Sequence, residues 1–180
     1  MLFRLVFFIF VSIVLAGCSS VKIQVTERET DFHLDAYRSF DFYEIDASGD
    51  LGESYEGNLA FLKEEIAKHF VYRGLLRKSD NPEILVNIGV WVEEKTQTRE
   101  TSLVSDPGTF NYIGQRRYTW KSETIEVETY KKGTVTVHLV DASKNAALWV
   151  ATADEVLLKN PDRMRDRIVK GVEKLFELIP

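Results

Sequence analysis

Hydrophobic and polar residues alternate strictly along Val21-Lys22-Ile23-Gln24-Val25, the period of a strand with one buried face. The same alternation predicts a second short strand at Ser39-Phe40-Asp41-Phe42-Tyr43. Gly49, Gly52 and Gly57 then mark residues 46–57 as loop. Spacings of three and four follow: Leu59, Leu62, Ile66 and Phe70 share one face of a helix predicted from about Asn58 to Arg73. Asn58 is its expected N-cap, and Gly74 suits a left-handed C-cap with Leu75 folding back onto the helix. Glu64 and Glu65 precede Lys68 and His69 at helical spacing, which predicts a solvated, paired face.

Beyond Asn81-Pro82 the pattern returns to a period of two. Ile84, Val86, Ile88, Val90 and Val92 fall on one face of a strand, and Asn87, Gly89 and Trp91 on the other. Residues 99–118 show no clean period. Three more strands are predicted at about Trp120–Tyr130, Thr134–Val140 and Ala147–Leu157. Lys131-Lys132-Gly133 and Asp141-Ala142-Ser143-Lys144-Asn145 are short enough to join them as antiparallel hairpins. Asn160 and Pro161 open a final helix whose buried stripe is Met164, Ile168, Val172, Leu175 and Ile179. The resulting expectation is an α+β fold: a mostly antiparallel sheet of about five to six strands, with two helices packed on one face.

Composition changes this picture only at the N-terminus. Of the 180 residues 44% are hydrophobic and the net charge is −5, but residues 1–17 hold one charge, Arg4, and an apolar run from Leu5 to Ala16. That run is too short to cross a hydrocarbon core, which needs about 20 residues, and reads as an export signal. The remaining chain is mildly acidic and otherwise ordinary for a folded domain, a poor match to nucleic-acid binding. Three segments are therefore expected: signal peptide 1–17, a short tether 18–20, and a single α+β domain 21–180.

The signal ends Leu15-Ala16-Gly17-Cys18, which resembles the lipobox of bacterial lipoproteins. The resemblance implies that the Cys18 thiol receives a diacylglyceryl group, that the signal is cut before it, and that the new amine is acylated. Small residues at 16 and 17 give a peptidase access to that bond. Two or more acyl chains anchor stably where one binds reversibly. Lipidation also consumes the only cysteine, so no disulfide is available to the domain. Ser19, rather than Asp, follows the cysteine, which by the same resemblance implies the outer membrane and leaves the leaflet open.

Across the domain the chain resembles the bacterial lipoprotein family named domain of unknown function 4136. The resemblance is carried by residues 130–142, Tyr130-Lys131-Lys132-Gly133-Thr134 through Val140-Asp141-Ala142, and by Leu148-Trp149-Val150-Ala151-Thr152-Ala153. These look like the family's hairpin, in which a Gly-Thr strand ends in Val-Asp-Ala and the return strand carries a Trp. Arg73-Gly74, Pro82-Glu83-Ile84-Leu85-Val86 and the helix closing at Pro180 are also similar. Trp149-Val150-Ala151 departs from the family's more usual Trp-Arg-Gly. The resemblance implies fold and anchor, and no activity.

Several side-chain groupings could carry chemistry. Asp31, His33 and Asp35 alternate, and on a strand all three would point one way and could hold a metal; a solvated loop is the preferred reading. His138 alternates with Thr134 and Thr136, as on an exposed sheet face, and His69 is expected to pair with Glu65 at the surface. No nucleophile elbow, phosphate loop or cysteine-histidine pair appears in the sequence, and nothing in it calls for a cofactor. Tyr112, Arg116, Arg117, Tyr118 and Trp120 mix aromatics with guanidinium groups, as partner-binding surfaces do, although alternating rings also suit structural cover of a sheet. The reading is a non-enzymatic, outer-membrane-anchored periplasmic lipoprotein that binds another envelope component, with its oligomeric state open. The alternative is a lipid-tethered small-ligand binder or hydrolytic enzyme using the open sheet face.

Overall fold

A computed structural model describes residues 21–53, 55–101 and 122–180. The chain runs through β1 (Lys22–Arg28), β2 (Ser39–Gly49), α1 (Tyr55–Tyr72) and β3 (Leu76–Arg77). It continues through β4 (Ile84–Glu100), β5 (Thr124–Asp141), β6 (Ala146–Val156) and α2 (Pro161–Glu177). One turn of 3-10 helix lies at Leu34–Ala36. All six strands form one sheet in the order β1-β6-β5-β4-β2-β3.

The α+β class holds, but the sheet is mixed. β1, β6, β5 and β4 pair antiparallel, whereas β2 runs parallel to both β4 and β3. The physical reason is the connection: α1 carries the chain back across the sheet, so the strands before and after it point the same way. Residue alternation reports which face is buried and is blind to strand direction.

The second correction concerns Lys131-Lys132-Gly133. It makes no turn: β5 is one strand of 18 residues, and Gly133 stands in its middle, opposite Val92 of β4 and Glu155 of β6. Its lack of a side chain serves packing, since a Cβ there would come within 2.9 Å of Leu157 Cδ2. β4 likewise runs on to Glu100, so beyond the other strands β4 and β5 continue as a two-stranded arm. The β5–β6 hairpin is real. Asp141 accepts from Ser143 N–H (2.9 Å), Ser143 Oγ (2.7 Å) and Lys144 N–H (3.0 Å), closing the turn, and Asn145 takes φ +50°. The Ser143 hydroxyl bond, with the Lys144 and Ser143 amides, holds Asp141 down at about 2 against the opposing effect of burial.

Both helices cover one sheet face. Ile84, Val86 and Ile88 of β4 and Val137 and Leu139 of β5 join Ile66 and Phe70 of α1 and Val172, Leu175 and Phe176 of α2 in one core. In α2 the Asn160 side chain caps Arg163 N–H at 3.0 Å, Pro161 starts the helix, and Met164, Ile168, Val172 and Leu175 are buried, with Ile179 buried just past its end. α1 begins at Tyr55, not Asn58, because the chain already turns in at Gly52, whose carbonyl accepts from Tyr55 N–H at 3.1 Å. It ends as expected: Gly74 at φ +88°, with Gly74 N–H to Val71 O (2.9 Å) and Leu75 N–H to Phe70 O (3.0 Å). Arg73 adds a link that periodicity does not show. Its guanidinium donates to the Phe176 and Ile179 carbonyls, satisfying the open C-terminal end of α2.

Candidate binding cavity

The two ends of the covered face are filled differently. At the lower end, where β4 begins, the core is aromatic. The Phe40 and Phe70 centroids lie 4.7 Å apart, Phe70 meets Phe176 edge-on at 4.9 Å, and Trp149 and Phe32 are fully enclosed. Going up the sheet, the inward positions become small: Ala47 and Gly49 on β2, Val90 and Val92 on β4, Gly133 and Val135 on β5, Ala153 on β6. Gly49, at φ +93°, is compelled, because any Cβ there would collide with the Val92 carbonyl.

Above the aromatic lower end, the small side chains of the sheet leave a cavity of about 730 Å³ beneath the two helices. Its floor is Ile66, Val137 and Leu175, its helix walls include Leu62 and Ile168, and Val135 lies beneath. The exposed residues Gly52, Glu94, Thr129 and Lys159 stand on its rim, so it opens upward beside the β4–β5 arm. Two ion pairs stand around it: Arg167 Nη1 with Glu155 Oε2 at 3.2 Å, and Lys131 Nζ with Asp50 Oδ1 at 3.2 Å. A volume of this size with apolar walls and a few charges at the rim is the form of a small-ligand site.

The opposite sheet face is largely polar, and several of its side chains bond to one another. Thr134 Oγ1 donates to Asp154 at 2.7 Å, Lys132 Nζ at 2.9 Å, and Thr136 and Thr152 hydroxyls meet at 3.3 Å. The Thr134 and Lys132 bonds hold the Asp154 carboxyl below its ordinary value. His138 lies on this face, half-buried, opposite Asn87 and Val150, and Trp91 is 52% exposed there.

The other singled-out residues do not converge. Asp31, His33 and Asp35 are exposed because the intervening Phe32 and Leu34 point into the core, and among the described residues no group of three or more His, Cys, Asp or Glu gathers to hold a metal. His69 stacks on Phe176 at 4.9 Å rather than pairing with Glu65. Glu65 is itself buried and bonded to Lys68 at 2.8 Å, and Glu64 reaches Arg77 at 3.3 Å. That correction follows from α2 lying across α1 where a solvated stripe was expected. Cys18 and the set Tyr112, Arg116, Arg117, Tyr118 and Trp120 lie outside the described residues. The cavity had no signal in the periodicity, which gives a residue's face and not how well that face is filled.

Fold and cavity define a small α+β domain with a helix-covered sheet, and among the described residues no helix is long and apolar enough to cross a membrane. The chain belongs to the family Domain of unknown function (DUF4136), whose model matches residues 24–180. Among curated proteins none matches it. Solved structures share its backbone course only distantly. A PDZ domain protein from Parabacteroides distasonis is 14% identical (TM-score 0.48), over 87% of this chain and 34% of its own. The PelC dodecamer from Paraburkholderia phytofirmans is 12% identical (TM-score 0.45), over 86% and 96%. A minor lipoprotein from Acinetobacter baumannii is 10% identical (TM-score 0.33), over 80% and 93%.

Proposed function

We propose that this protein is a non-enzymatic lipoprotein, anchored through Cys18 in the outer membrane facing the periplasm, that binds an apolar envelope component in the cavity between α1, α2 and the upper sheet. The cavity of about 730 Å³ carries the reading, since its walls offer burial to an apolar ligand. The anchor rests on Leu15-Ala16-Gly17-Cys18. Contact of an envelope protein with Tyr112, Arg116, Arg117, Tyr118 and Trp120 is a separate part of the proposal.

Two experiments test it. Labelled palmitate should enter the protein in cells and be lost in Cys18→Ala; undiminished label in that variant refutes the anchor. A photo-reactive phenylalanine at Leu62 should yield apolar adducts in intact cells, and the same residue at Trp91 should not. Absence of adducts at Leu62, or equal yields at both positions, removes the cavity as the binding site.

A further inference from the structure

We propose that the cavity houses an acyl chain attached to Cys18 of the same molecule, so that part of the anchor's lipid lies inside the domain and the rest in the bilayer. This rests on the reading of Cys18 as the lipidated residue, and it makes that chain the apolar component bound in the proposed cavity.

Val21, the residue before β1, lines the cavity, level with its upper part because β1 enters the sheet opposite Asp154 and runs downward from there. Cys18 is three residues upstream, so a thiol-linked chain begins within about 11 Å of the cavity wall, at 3.8 Å per residue. The tether is too short to carry that lipid away from the cavity's end of the molecule. A covalent tether of this length also gives its chain a high effective concentration at the opening, ahead of any free lipid.

The wall beside Val21 carries little side-chain volume. Gly171 sits inside α2, where glycine costs helix stability, and it faces the cavity. A Cβ there would meet nothing nearer than Val21 Cγ1, at 3.9 Å. No clash and no positive φ demands a glycine, and a Cβ there would already touch Val21, so any larger side chain would take cavity space beside the start of β1. The walls beyond are Leu62, Val135 and Ile168, which offer a methylene chain contact and no hydrogen bonds. Apolar space of this kind admits hydrocarbon in preference to water. Housing one chain leaves the others of a diacylglyceryl, N-acylated cysteine in the membrane, where two suffice for stable attachment.

The test uses the full lipidated protein in cells fed a photo-activatable diazirine palmitate. After irradiation and digestion, mass spectrometry should find the Cys18 peptide joined through its acyl chain to cavity peptides containing Leu62 or Ile168. Gly171→Leu should cut that yield by about tenfold, as a loss of 1.4 kcal/mol would, while the thermal midpoint holds or rises. Unreduced yield in a folded Gly171→Leu variant overturns placement of the chain beside Val21. Cavity peptides carrying a whole phospholipid and never the Cys18 peptide overturn the self-housed chain while preserving the cavity's function. Label on Cys18 with crosslinks only to bulk lipid overturns the inference and leaves the anchor standing. No lipid on Cys18 overturns both.

Discussion

The lower and upper halves of the covered sheet face share one alternation of inward residues and end in opposite states. Below, Phe40, Phe70, Phe176 and Trp149 meet ring to ring and exclude space. Above, Val90, Val92, Gly133, Val135 and Ala153 sit at equivalent inward positions and line the cavity. Side-chain volume thus decides what polarity leaves undecided. A domain whose core is full at one end has stability to spare for an unfilled other end, which is how a small fold can carry a receptacle.

That contrast is breakable by mutation. Phe70→Ala deletes a fully buried ring from the packed half and should cost about 3–5 kcal/mol in urea unfolding. A loss near 1 kcal/mol would mean the lower half is no better packed than the upper. Asp141→Ala, also at the lower end, frees the turn amides and the Tyr37 hydroxyl that it accepts from at 3.3 Å, for about 1–3 kcal/mol. The pH dependence has a definite sign. Asp141 falls from an ordinary 3.8 to about 2 on folding, so its contribution is complete above about 4 and fades as pH drops toward 2. Asp141→Asn should flatten that acid limb, and an unchanged limb would count against the assignment.

Effects in the upper half should be smaller. Leu62→Ala enlarges a space that already exists and should cost only about 1 kcal/mol, because little new cavity surface is made. A Phe70-sized loss would show the upper half to be filled in the protein alone. Gly171→Ala should stabilise by about 0.5–1 kcal/mol, since its Cβ has room and the helix gains. Destabilisation there would show that the space beside Val21 is occupied in the domain itself.

Much of this was legible locally. The inward set of β4, the stripe and Asn160 cap of α2, and the Gly74 ending depend on neighbours a few residues away, and residue types alone define them. Lys131-Lys132-Gly133 misled because a glycine that makes room for Leu157 has the same signature as one that makes a turn. The parallel β2–β4 pairing and the His69–Phe176 stack were hidden because they are set by where α1 and α2 land, at long range. The cavity was hidden for a third reason: it is a deficit of volume, spread over positions that each look like ordinary core.

If the protein's own lipid fills the upper half, removing that lipid should loosen its walls and leave the packed half unchanged. Amide hydrogen exchange of the purified acylated protein, before and after a lipase removes its ester-linked chains, tests it most directly. Exchange should quicken in Tyr55–Leu62 and Met164–Gly171, which wall the cavity, and stay unchanged in Ile84–Ile88 of the packed half. No change in either half, or an equal change in both, contradicts the account.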